Sequence, residues 1–122
     1  MNKLKVIKIK AFPPRELNGY RIQFDNSIGN LQGLKILKIE NLNIGPIPSS
    51  IRKLKKLETL DITRSDTNSD LIFANPESIS RLINLKNLVL VGYGMDMLPS
   101  KIDTLKSIES INYIWFKIEK YT

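Results

Sequence analysis

One short frame of apolar residues recurs five times along the chain, and it limits the possible folds more than any other feature. Leu34-x-x-Leu37-x-Ile39 returns as Leu4-x-x-Ile7-x-Ile9, Leu57-x-x-Leu60-x-Ile62, Leu85-x-x-Leu88-x-Leu90 and Ile108-x-x-Ile111-x-Tyr113. The copies start at residues 4, 34, 57, 85 and 108, so the spacings are 30, 23, 28 and 23 residues. Self-similarity at a period of this length marks a solenoid, in which each repeat stacks only on its neighbours.

A second motif follows the first. Ile47-Pro48-Ser49-Ser50-Ile51-Arg52-Lys53-Leu54 matches Leu98-Pro99-Ser100-Lys101-Ile102-Asp103-Thr104-Leu105. Asn75-Pro76-Glu77-Ser78-Ile79-Ser80-Arg81-Leu82 keeps the Pro, Ile and Leu, and the first unit keeps Ile28 and Leu31. In the first motif, alternate residues of a strand point to opposite sides, so its apolar pair faces one way. In the second, proline suits the first turn of a helix, and Ile and Leu three apart lie on one helical face. Each unit is therefore predicted to be a strand followed by one short helical or 3-10 segment. No unit can bury its apolar edge alone, and stacked units can.

The two motifs together resemble the leucine-rich-repeat family of the LxxLxLxxNxLxxLPxxIxxL type, with a period of about 23 residues. The resemblance covers nearly all of the chain. It implies an α/β solenoid of about five units in a single domain, residues 1–122, with a concave parallel sheet and the helical segments on the convex side. One position departs from the family. The asparagine expected after each strand is replaced by Phe12, Leu42, Ser65, Tyr93 and Phe116. The ladder of side-chain bonds that asparagine builds between turns is therefore expected to be missing, with apolar packing in its place.

The long spacings locate extra chain. About seven residues are added within 13–26 and about five within 65–75. Both insertions fall between strand and helical segment, on one edge of the arc. The first carries Pro13, Pro14, Gly19, Tyr20 and Phe24; the second reads Ser65-Asp66-Thr67-Asn68-Ser69-Asp70 and is turn-prone. Loops on a rigid scaffold often carry function, so Tyr20, Phe24, Asp66, Asn68 and Asp70 are candidate contact residues.

Strand alternation also defines an outward face. Its central column is Lys8, Lys38, Asp61, Val89 and Asn112. Val6, Ile36, Thr59, Asn87 and Ser110 lie on one side, and Lys10, Glu40, Thr63, Val91 and Ile114 on the other. The face grades from charged to apolar along the arc. Val89, Val91, Ile114 and Trp115 form a candidate protein-binding patch; an alternative role for Trp115 is to cover the open end of the core. Asp61 is expected to pair with the nearby Arg64 at the surface.

Composition removes several classes of function. The chain contains no cysteine and no histidine, which excludes disulfides and thiolate metal sites and removes the usual general base. No glycine-rich phosphate loop, metal-ligand cluster or nucleophile with a credible base is present, so neither a catalytic residue nor a cofactor is expected. The opening MNKLKVIKIKAF breaks its apolar residues with lysine, unlike a signal peptide, and no window reaches a membrane span. A cytoplasmic location is the default expectation.

The predicted function is non-catalytic binding of a protein partner, as an adaptor or effector, through the concave face and edge loops. The alternative is electrostatic binding of nucleic acid or anionic lipid, prompted by the net charge of +7. The run Arg52-Lys53-Leu54-Lys55-Lys56 is the sharpest basic feature, although Leu54 belongs to the core frame and its neighbours then form a solvated face. A contiguous basic stripe would favour the alternative, and scattered cations the first reading. Finally, the last strand is apolar while the first carries Lys3, Lys5, Lys8 and Lys10. The C-terminal end is expected to be covered by Ile118 and Tyr121 of the tail or by a second copy of the chain.

Overall fold

A computed structural model describes residues 3–10, 24–40, 46–63, 75–93 and 102–116, with the backbone only for Pro76, Tyr93, Trp115 and Phe116. Five strands run in chain order: β1 (Val6–Lys10), β2 (Ile36–Glu40), β3 (Thr59–Thr63), β4 (Asn87–Tyr93) and β5 (Ser110–Phe116). They form one parallel sheet in the order β1-β2-β3-β4-β5, with every strand beside its sequence neighbours. A 3-10 segment precedes each strand after the first: η1 (Asn26–Asn30), η2 (Ser49–Lys53), η3 (Pro76–Arg81) and η4 (Ile102–Thr104). The second motif is thus a single tight helical turn, and no longer helix forms among the described residues.

The pairing register equals the alignment of the sequence copies. Leu37 is partnered by Leu60, Leu60 by Leu88 and Leu88 by Ile111. Parallel strands need a crossover that returns the chain to the same edge. Here the I-x-x-L-x-x-L sequence makes that return through repeated turns. Leu54 donates its N–H to the Ile51 carbonyl and Leu57 donates to the Leu54 carbonyl, at 3.0 and 3.1 Å. Leu82 and Leu85 repeat the two bonds at 2.9 and 3.0 Å. At the foot of each strand, one carbonyl accepts two N–H groups of the next unit. Lys35 and Ile36 both donate to the Lys5 carbonyl, Glu58 and Thr59 to that of Lys35, Lys86 and Asn87 to that of Glu58, and Glu109 and Ser110 to that of Lys86. These bonds satisfy backbone groups that a corner would otherwise leave unpaired.

Capping differs between units. Asp25 caps η1, accepting from the Ser27 N–H at 2.8 Å. Asn75 caps η3, accepting from the Glu77 N–H at 3.2 Å, and Pro76 takes the first position of that turn. Pro48, by contrast, stands at the cap of η2 with extended backbone and no side-chain bond. Of the two motif prolines among the described residues, Pro76 sits where the sequence reading put it and Pro48 stands one position earlier; Pro99 lies outside the described residues.

The core is aliphatic and repetitive. Leu34, Leu37, Ile47, Ile51, Leu54, Leu57, Leu60, Ile62, Ile79, Leu82, Leu85 and Leu88 are all fully buried. The same frame positions at the two ends are not. Leu4 is 44% exposed and Ile111 43%; among the described residues, each belongs to a unit with a neighbour on one side only. Ile118 and Tyr121 lie outside the described residues. Gly29 marks a close approach between units: a Cβ there would stand 2.8 Å from the Ser50 carbonyl oxygen.

Among the described residues, no helix is long and apolar enough to cross a membrane.

Candidate functional site on the outer face of the sheet

The outer face is built by the pleat. In β2 and β3 the burial alternates, with Leu37, Ile39, Leu60 and Ile62 inward and Ile36, Lys38, Glu40, Thr59, Asp61 and Thr63 half-exposed on the other side. Parallel register then stacks the outward residues into columns. Lys8, Lys38, Asp61, Val89 and Asn112 are consecutive partners across the five strands. So are Lys10, Glu40, Thr63, Val91 and Ile114.

The N-terminal half of this face is a charge network. The Lys38 ammonium lies 3.1 Å from Glu40 and 3.8 Å from Asp61, and Lys10 lies 3.5 Å from Glu40. Lys38 bridges its own strand and the next, since residues two apart on a strand share a face. The bond from Lys38 holds the Glu40 carboxyl below its ordinary range. Asp61 moves the other way: partial burial raises its pKa, and Lys38 only partly offsets this. The Glu40 bond and the two carboxylates raise the Lys38 ammonium in turn. The pair expected between Asp61 and Arg64 falls outside the described residues. The partner observed for Asp61 is Lys38, reached across the strand, together with the Thr63 hydroxyl at 3.4 Å.

A polar ladder runs across the C-terminal strands. The Ser110 hydroxyl donates to Asn87 Oδ1 at 2.9 Å, and Asn87 Nδ2 donates to the Thr59 hydroxyl at 3.3 Å. Next to it stand Val89 and Val91, half-exposed, and Ile114, 41% exposed. In the register Val89 pairs with Asn112 and Val91 with Ile114. These residues form an apolar row bordered by amides and hydroxyls. Trp115 pairs with Gly92 in the register, and its side chain lies outside the described residues.

A third array lies at the foot of the strands. The position before each strand holds Lys5, Lys35, Glu58, Lys86 and Glu109. Glu58 sits 3.9 Å from Lys35 and 3.3 Å from Lys86. The strand alternation already set Thr59, Asn87 and Ser110 in one outward column, without their hydrogen bonds, whereas this charged ladder was not singled out from the sequence. The signal for the ladder was available, because Lys5, Lys35, Glu58, Lys86 and Glu109 appear when the aligned copies are read down one column.

The edge-loop candidates fare differently. Tyr20, Asp66, Asn68 and Asp70 lie outside the described residues. Phe24 is described and half-buried, packed against the core. It lines an open apolar cleft with Ile7, Ile9, Ile28, Leu31 and Leu37. Phe24 therefore packs against the first strand beside Ile7 and Ile9.

Of the positions that replace the family asparagine, Phe12, Leu42 and Ser65 are outside the described residues. The backbone of the last two is informative. β4 and β5 run on through Gly92–Trp115 to Tyr93–Phe116. The strand ladder continues over the place where the family turns its chain.

Comparison with the curated proteins gives no match. The model of a leucine-rich repeat region matches residues 2–121. That match spans almost the whole chain and agrees with the register of the five parallel strands, so the protein belongs to the leucine-rich repeat family.

Proposed function

We propose that this chain is a non-catalytic module that binds a protein partner through the C-terminal half of its concave face. Leucine-rich repeat domains are generally interaction modules. The observation that carries the finer reading is the outward row of Val89, Val91 and Ile114 beside the Thr59–Asn87–Ser110 ladder. Apolar side chains held outward on a sheet gain stability only when something covers them. The polar ladder is already ordered, so a partner pays little entropy to meet it. The charged half suits a different role. Its carboxylates are occupied by Lys38 and Lys10, and surface pairs of this kind favour register and encounter more than affinity.

The double substitution Val89→Lys and Val91→Lys tests this. Both side chains point away from the core, so the thermal transition should stay within a few degrees of the parent while capture of the partner is lost. A folded double variant that captures the same partner with unchanged affinity would rule out this face.

A further inference from the structure

The alternative electrostatic reading turns on where the cations gather, and the structure gathers a group of them away from the concave face. Lys53, Lys55 and Lys56 line one open groove with Gln32 and Gly33, on the edge where the 3-10 segments turn back toward the strands. The Lys55 ammonium reaches the Arg81 carbonyl of the next unit at 3.0 Å, which brings Arg81 to the same edge. The ion pairs described above all draw on other lysines, namely Lys10, Lys35, Lys38 and Lys86. Among the described residues, Arg52, Lys53, Lys55, Lys56 and Arg81 are exposed and have no acidic partner.

An apolar side chain stands within this group. Ile83 is 58% exposed, more than any other large apolar residue described as exposed. Its N–H donates to the same Arg81 carbonyl that Lys55 holds, at 3.0 Å, and Asn84 beside it donates to the Lys55 carbonyl at 2.6 Å. The Ile83 backbone is thus held on the same carbonyl as the Lys55 ammonium. The repeat does not require an apolar residue at this position, since Gln32, Lys55 and Lys106 occupy it in the other units.

We infer that this edge docks on an anionic membrane surface, with the lysines and Arg81 facing lipid phosphates and Ile83 entering the headgroup layer. The chemistry distinguishes this partner from others. Among the described residues, no aromatic side chain lines the groove, whereas single-stranded nucleic acid is held by stacking platforms. Tight protein interfaces centre on buried aromatic or arginine anchors in shaped pockets. Long, flexible point charges around one aliphatic side chain offer no shape readout, and a charged leaflet asks for none. The site is independent of the concave face, so either can fail without the other.

Flotation with vesicles tests it. The intact chain should bind phosphatidylcholine vesicles containing about one third phosphatidylserine at about 0.1 M salt, and should not bind pure phosphatidylcholine. Each cation near such a surface is worth roughly a fivefold change in affinity. The triple variant Lys53→Glu, Lys55→Glu, Lys56→Glu should therefore lose at least about a hundredfold, while Lys8→Glu, on the concave face, changes binding little. Ile83→Ser keeps the charge and should weaken binding severalfold, an effect that simple attraction of opposite charges does not predict. Circular dichroism of each variant confirms the fold. The inference is overturned if the folded triple variant floats as well as the parent, if Ile83→Ser has no effect, or if the parent binds a nucleic-acid duplex or polyglutamate but not the anionic vesicles.

Discussion

Replacing Leu60 with Ala tests the repeat frame at its most enclosed point. Leu60 is fully buried in the central strand, with Leu37 in register on one side and Leu88 on the other. The substitution removes three carbons. At about 0.8 kcal/mol for each buried methylene, the lost transfer energy is about 2.4 kcal/mol. Both neighbouring strands are fixed by the ladder, so the site cannot fully collapse. A residual void on the order of 50 Å³ adds about 1 kcal/mol at 24 cal/mol per Å³. The expected loss is about 3–4 kcal/mol. Urea unfolding followed by circular dichroism measures it; with an m-value of about 1.5 kcal/mol/M the midpoint falls by about 2 M. Ile111→Ala provides the comparison. It occupies the same frame position in β5 but is 43% exposed and open on one side. With little cavity formed and only part of the side chain withdrawn from water, it should cost about 1–1.5 kcal/mol. A loss below about 1 kcal/mol at Leu60, or equal losses at the two positions, would show that stacking does not set the energetics.

Three further outcomes follow from particular contacts. Gly29→Ala should lower stability by about 1–3 kcal/mol, because its Cβ meets the Ser50 backbone carbonyl rather than a side chain that can rotate away; an unchanged melting temperature would mean that η1 and η2 are further apart. Ser78→Ala should be neutral or stabilising, since the buried Ser78 hydroxyl has no partner among the described residues and an unsatisfied buried hydroxyl costs about 1–3 kcal/mol; a clear destabilisation would reveal a bond at that site. Carboxyl resonances read the charge network. Glu40 should titrate below, and Asp61 above, their ordinary values, and Lys38→Met should raise both. The stability signs are opposite. Glu40 contributes above its unfolded pKa, and that contribution is lost as pH falls through the depressed folded value, whereas ionised Asp61 opposes folding and this opposition is relieved as pH falls through its raised folded value. Unmoved resonances in the Lys38 variant would separate Lys38 from both groups.

Much of this protein was determined by sequence alone, and the reason is periodicity. The spacing of Leu34, Leu37 and Ile39, repeated four more times, sets which side chains of each strand face inward. A parallel solenoid with one strand per unit then has a single sensible register, so the columns Lys8–Lys38–Asp61–Val89–Asn112 and Leu37–Leu60–Leu88 follow without coordinates. The family follows for the same reason. Tertiary structure decided what depends on neighbours rather than on direction. Leu60 and Ile111 share a frame position, yet only Leu60 has a strand on both sides, so one is sealed and the other meets water. Asp61 lies 3.8 Å from Lys38 because the register sets the two side by side on neighbouring strands, a nearness that their separation in the sequence does not show. Phe24 fell within an apparent loop insertion and packs on the core beside Ile7 and Ile9, a contact that the repeat frame does not specify. Lys53, Lys55 and Lys56 are already close in the sequence, whereas Arg81 and the Ile83 backbone come beside Lys55 only because consecutive turns stack, with the Arg81 carbonyl bonded to the Lys55 ammonium. Local periodicity specifies where a side chain points; what it meets there is set by the stacking of units.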